Sequence, residues 1–239
     1  MTPTGAKAAA RARSDRSDRS DGSDRSGQVL RCDAEANRCA IVAAAHEVFA
    51  EQGLGAPMAE VARRAGVGIA TLFRRFPARD DLITATFAAT MADYASAIEV
   101  AVADPDPWAG FCGYVQKVCS MQAGDRGFTD VLTRIFPNDA SFEQERDRAF
   151  AAFAQLVQRA KAAGRLRPDF VAEDLVMMLM ANAGVINATS NAAPQTSPRL
   201  VAYLLQACAA EAGQPLPPPP TPRAMYGALR RLHHQKETC

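Results

Sequence analysis

From about Asn37 onward, apolar residues recur every three or four positions, interrupted by short Gly, Pro and Asp breaks, and no run alternates with the two-residue period of a strand. The pattern predicts an all-α protein. A first helix is expected over 37–52, burying Ile41, Ala45, Val48 and Phe49 on one stripe and stopping at Gly53. A second is expected to start at Pro57, a good first-turn residue, and to bury Met58, Val61, Ala62 and Ala65 before Gly66. The third is short, Gly68 to Phe76, and Pro77 ends it. A long fourth helix opens at Arg79 and runs to about Val100, with Leu82, Ile83, Phe87 and Tyr94 inward.

Beyond the Asp104-Pro105-Asp106-Pro107 break the spacing predicts five more helices, the first two over 108–122 and 126–136. The next opens on a capping box, Ser141 with Gln144, and runs to Gly164. The last two cover 169–189 and 198–212, the latter with Ser197 as its cap and Gly213 as its stop. The proline run from Pro215 to Pro222 predicts an extended spacer before a final short helix over 223–234. At the other end, a Ser-Asp-Arg triplet repeats between Ser14 and Ser26 without an apolar residue, so a solvated tail is expected up to residue 36. Its arginines could meet DNA phosphates, but its aspartates nearly cancel them, which favours the solvated reading.

Composition adds limits. With 239 residues, 48% of them hydrophobic, the chain can bury a substantial core. The formal charge of +1 means that any nucleic-acid surface must be a local patch. Six cysteines form no CxxC pair and no His/Cys cluster at zinc spacing, so no structural metal and no cofactor is expected. Cys112 and Cys119, seven apart on one helix face, read as packing residues, with redox sensing as the alternative. No stretch reaches the roughly 18 apolar residues of a membrane span and the N-terminus has no apolar signal core, so a cytoplasmic protein is expected.

The segment that carries chemistry is MAEVARRAGVGIATLFRRF, Met58 to Phe76: a helix, a tight Ala-Gly-Val turn and a second short helix. This is helix-turn-helix spacing. Leu72 and Phe76, four apart, would be buried, leaving Ile69, Ala70, Thr71, Arg74 and Arg75 outward, and a helix with small residues first and arginines later suits a major groove. Arg63 and Arg64 read as a solvated helix face, with DNA contact as the alternative. Against an enzyme, no H-E-x-x-H, G-x-S-x-G, Walker loop or dinucleotide fingerprint occurs, and His46, His233 and His234 lie away from candidate partners. The domains expected are a tail (1–36), a helix-turn-helix domain (37–88), a larger helical domain (89–213) and a proline-rich linker with a last helix or tail (214–239).

The longer run IVAAAHEVFAEQGLGAPMAEVARRAGVGIATLFRRFPARDDLITATF, Ile41 to Phe87, resembles the N-terminal domain of the TetR family of bacterial repressors along its whole length. The resemblance implies a homodimer whose third helices enter successive major grooves of a near-palindromic double-stranded operator. It puts Gly68, Ile69, Ala70 and Thr71 at base edges and phosphates, Arg74 and Arg75 at positions that commonly contact DNA, and Arg79 at a phosphate. Two residues depart from the family pattern. Phe73 stands among the positions expected to meet DNA but replaces a usual tyrosine, so the phosphate hydrogen bond of a ring hydroxyl is lost, with packing as the ring's alternative role. Pro57 replaces a capping threonine and offers neither side-chain hydrogen bond nor amide proton.

For the C-terminal half, PDPWAGFCGYVQKV continuing into QAGDRGFTDVLTRIFP resembles the SbtR-like branch of the same family. That implies a domain that binds a small-molecule effector and forms the dimer through its last two long helices. The run LVMMLMANAGVI, Leu175 to Ile186, is apolar on nearly every face, and Val201, Leu204, Leu205 and Cys208 follow at matching spacing. Trp108, Phe111, Tyr114, Phe128, Met177, Met178 and Asn182 are candidates to line an effector pocket, each with simple core packing as its alternative. The reading is a ligand-released repressor, with an activator of the same fold as the second possibility.

Overall fold

The computed structural model describes residues 21–132, 134, 136, 139–189, 192–211, 214–221, 223–225 and 227. Nine helices fall within them: α1 (Asp21–Gln52), α2 (Met58–Arg64), α3 (Ile69–Arg75), α4 (Arg79–Ala103), α5 (Pro107–Gly124), α6 (Arg126–Leu132), α7 (Ala140–Ala162), α8 (Asp174–Thr189) and α9 (Thr196–Cys208). The all-α reading holds, and the only β-type pairing among the described residues is a single antiparallel bridge between Leu166 and Ala209. No helix among them is long and apolar enough to cross a membrane.

The N-terminal stripe packs as its periodicity requires. Ile41, Ala45, Val48 and Phe49 of α1 are buried in one cluster with Val61 and Ala62 of α2, Leu72 of α3 and Phe76 just after it, and Leu82, Ile83 and Phe87 of α4. The upstream boundary is a correction: α1 reaches back to Asp21, where a tail was expected up to residue 36. No proline interrupts 21–52, and once the packed half of a helix is nucleated, each added turn costs little. Residues 35–40 are all exposed, so this part of α1 lies at the surface.

In the C-terminal half several ends move. Helix α6 stops at Leu132, short of the expected 136. Helix α7 is capped not by Ser141 but by Asp139, whose carboxylate accepts from the Phe142 amide at 3.0 Å. Helix α8 begins at Asp174, because that carboxylate takes the Val171 amide at 2.9 Å and ends the loop there. Helix α9 starts at Thr196, which makes Ser197 an internal, buried residue rather than a cap. It ends at Cys208, since the chain beyond is diverted into pairing with residues 165–167: Arg167 N donates to the Cys208 carbonyl at 3.0 Å and Ala210 N to Arg165 at 2.9 Å.

The segment after α9 is strapped down. Arg167 donates to the Gln214 carbonyl at 2.8 Å, and Asp169 accepts from the Leu216 amide at 2.7 Å and from Arg167 at 2.5 Å. Arg167 and that amide hold the Asp169 carboxyl down at about 2. Residues 215–219 are exposed and form no helix, in keeping with a spacer, and most of the final helix expected over 223–234 lies outside the described residues.

Helix α6 belongs to the C-terminal domain in sequence but is wedged against α1. At Gly127 a Cβ would sit 2.6 Å from Phe87 Cζ and 3.1 Å from the backbone carbon and Cβ of Phe49. Next to this contact Asp130 accepts from the Leu54 amide at 3.2 Å, and His46 Nε2 lies 3.1 Å from Asp125. Only glycine permits this approach. Gly127→Ala is expected to lower stability by about 1–3 kcal/mol through overpacking. A thermal melt reads this as a fall of about 2–4 °C per kcal/mol in a domain of this size.

Candidate nucleic-acid interface

The turn between α2 and α3 is set by backbone geometry. Gly66 adopts φ +68°, a left-handed conformation that strains residues with a Cβ, and the Gly66 and Val67 amides return to the carbonyls of Arg63 (3.2 Å) and Ala62 (3.0 Å). Val67 packs against the core beneath the turn. Pro57 occupies the N-cap of α2 at φ −61°, ψ 135°, one residue before the expected first-turn position, and gives no side-chain cap.

Helix α3 follows from Gly68, which is its N-cap and is exposed. Leu72 is fully buried and Phe76 closes the C-terminal end from inside. The opposite face is outward: Ile69 (43% exposed), Ala70, Phe73 (44% exposed), Arg74 and Arg75, with Thr71 half-buried. The Thr71 hydroxyl accepts from Arg74 Nη2 at 2.9 Å, which lays that guanidinium along the helix. The Phe73 ring is displayed with the arginines, not packed inside. An exposed phenyl ring at this place is suited to apolar contact with a thymine methyl.

The other arginines divide by partner. Arg63 is paired with Glu60 at 2.7 Å, and Arg64 with Glu51 at 2.8 Å, so both carboxyls are held below their usual range and both cations are neutralised on the surface. Arg79 is tied to the backbone of a neighbouring loop. Its Nη1 donates to the carbonyls of Leu54 (2.8 Å) and Ala56 (2.7 Å), tying the α1–α2 loop to the start of α4. Loop carbonyls past a helix end lack intrahelical partners, and a long side chain at the next helix start can supply them. Arg38 of α1, which sequence reasoning did not single out, has its guanidinium carbon 5.5 Å from the centre of the Phe76 ring.

The expected effector residues are spread over three environments. Trp108 stacks on Phe111 (centroids 5.5 Å apart), and Phe111 and Tyr114 both meet Phe153 (5.7 and 5.4 Å), giving one aromatic column. Phe128 joins it through Tyr94, 6.5 Å from one and 6.0 Å from Tyr114. Burial pushes the Tyr94 and Tyr114 hydroxyls up, so they stay neutral. Asn182 is elsewhere, in a buried polar network: its Nδ2 donates to Gln122 Oε1 (2.9 Å) and the Cys119 carbonyl (3.3 Å), and its Oδ1 accepts from Ser197 (2.8 Å). Met178 is buried, whereas Met177 is 42% exposed and joins neither group. Burial raises the Cys112 thiol to about 11 and the Cys119 thiol to about 12, which favours the packing reading over redox sensing.

Comparison with known proteins agrees with this arrangement. Residues 41–86 match the model of bacterial regulatory proteins of the tetR family, and residues 106–207 match that of the transcriptional regulator SbtR-like C-terminal domain; together they take in more than half of the chain. Among solved structures, the chain is similar to the TetR family transcriptional regulator PfmR from Thermus thermophilus, with a TM-score of 0.56 and 17% identity over 70% of this chain and 95% of that one. It is similar to the transcriptional regulator FadR from Bacillus subtilis, solved with stearoyl-CoA, with a TM-score of 0.51 and 16% identity over 74% of this chain and 99% of that one. A TetR transcriptional regulator from Streptomyces coelicolor shares 28% identity over 72% of this chain and 98% of that one, with a TM-score of 0.46. No curated protein is a significant match.

Proposed function

Since the chain belongs to the TetR family of bacterial regulatory proteins and is thus a DNA-binding transcriptional regulator, we propose that it is a dimeric repressor released from a palindromic operator by a small molecule. The observation that carries the DNA half of this reading is the outward face of α3, where Ile69, Phe73, Arg74 and Arg75 stand exposed without serving the core. Gly68, Ile69, Ala70 and Phe73 would read base edges, while Thr71, Arg74 and Arg75 would bind bases or phosphates. Arg79 would act indirectly, by fixing the α1–α2 loop. The dimer would form through α8 and α9, whose Met177 and Tyr203 leave apolar surface outside, and would bury at least about 1,000 Å² in total. A cytoplasmic address fits a protein that works on the chromosome.

Release would begin in the aromatic column around Phe111 and Tyr114. A ligand there shifts the equilibrium only by binding the released form more tightly than the DNA-bound form. The wedge at Gly127 offers a route out, because α6 cannot move without pressing on Phe49 of α1 or Phe87 of α4. An activator of the same fold would differ in operator position alone.

Selection of bound genomic fragments with purified protein at two salt concentrations tests the reading. The expected result is one palindromic motif with half-sites about a helical turn apart, bound with an affinity that falls steeply with salt. Recovery of random fragments without a motif would sink it.

A further inference from the structure

Arg38 and Arg75 lie on different helices, α1 and α3, yet line one open groove of about 440 Å³ together with Phe76 and Pro77. Both arginines are exposed, and among the described residues neither guanidinium has a carboxylate partner, in contrast to Arg63 and Arg64. The groove also holds two carboxylates, but both serve nearby helix starts: Asp81 accepts from the Ala78 amide at 2.9 Å and Asp139 from the Phe142 amide at 3.0 Å. The Phe76 ring fixes the position of Arg38, with the guanidinium carbon 5.5 Å from the ring centre. A guanidinium stacked on a ring keeps its edge donors free, and that fork matches the oxygens of a phosphate.

Accepting that α3 is the DNA-reading helix, we propose that Arg38 is an additional phosphate-binding residue of each reading head, gripping the DNA backbone beside the groove that α3 enters. When α3 lies in a major groove, the phosphate strands run along its flanks. The groove carrying Arg38 opens at the C-terminal end of α3, continuous with Arg75, where such a strand would pass. The continuation of α1 upstream places Arg38 inside a helix rather than in its first turn, which holds its backbone from both sides. Arg38 thus extends the contact surface beyond the helix-turn-helix itself. Its contribution is to affinity and register rather than to base choice.

The test measures binding of the full chain to a duplex carrying the motif recovered from genomic selection, by fluorescence anisotropy over a range of salt. Wild type is compared with Arg38→Gln, Arg38→Lys and, as a control, Arg63→Gln. Each phosphate contact contributes about 0.9 to the slope of log affinity against log salt, so R38Q should flatten it by about 1.8 for the two copies in a dimer. R38K should keep most of the slope but bind more weakly, because an ammonium does not supply the stacked fork. R63Q should behave as wild type. An unchanged slope in R38Q, with wild type binding normally, overturns this inference alone. Wild-type protein that binds no duplex overturns the DNA-binding reading, and this inference falls with it. Because Arg38 is exposed, an unaltered melting temperature in R38Q is expected and assigns any change in slope to DNA contact rather than to folding.

Discussion

Replacing Arg74 and Arg75 together by alanine is expected to lower operator affinity on the order of a thousandfold while leaving the protein folded. Four side chains are lost from a dimer, and a single arginine contact to a base or phosphate is worth about 1 kcal/mol or more, so the loss is about 4 kcal/mol. The salt slope should flatten as well, by roughly 0.9 for each contact that was to a phosphate. Both residues are exposed and lie on the solvent side of α3, so thermal stability should move by no more than about 0.5 kcal/mol. The single variants separate their roles. If one arginine reads a base, its loss relaxes preference at one position of the motif; if it binds a phosphate, its loss weakens all sequences alike. Operator affinity within a fewfold of wild type in the double variant would remove α3 from the interface.

Asn182→Ala is expected to be the most destabilising single substitution among the polar residues. Its amide donates to Gln122 and the Cys119 carbonyl and its oxygen accepts from Ser197, all in a site without solvent access, since Asn182 and Gln122 are both fully buried. Alanine leaves Gln122 Oε1 and the Ser197 hydroxyl unsatisfied, at about 1–3 kcal/mol for each buried polar group, whereas the Cys119 carbonyl keeps its partner within α5. Allowing for shared relaxation, a loss of about 3–5 kcal/mol follows, against a total stability of about 5–15 kcal/mol for a typical domain. Asn182→Leu, which refills the volume but not the hydrogen bonds, should recover only part of it. Chemical denaturation measures both. A loss below about 1 kcal/mol would mean that the network relaxes to satisfy itself without Asn182. The same network continues through Thr129 of α6, which donates to the Gln122 carbonyl at 2.8 Å, and α6 presses on α1. Asn182 variants should therefore be assayed for operator affinity as well as for stability.

Part of this was legible in the residues. The α1 stripe, the Gly66 turn and the burial of Leu72 and Phe76 follow from spacing and from the conformational freedom of one glycine. The exposed row of α3 is the complement of its buried positions. The family resemblance rests on the same residues. Less legible were the helix starts and stops, because a cap is a competition among neighbouring side chains. Asp139 displaces Ser141 as the cap of α7 by taking the Phe142 amide. Ser197 is drawn into the interior by Asn182, fifteen positions earlier.

The sequence by itself determined the all-α architecture and the helix-turn-helix, because periodicity records which face of each helix is removed from water. The tertiary structure alone decided which arginines are committed and which are displayed. Arg64 is neutralised by Glu51, thirteen positions away, and Arg79 is held by the carbonyl of Leu54, twenty-five positions away, while Arg38 is placed beside the end of α3 by the ring of Phe76. A helical period links only residues three or four apart, so no local pattern carries such pairings, and the charge a protein presents to DNA is settled by how its helices are packed together.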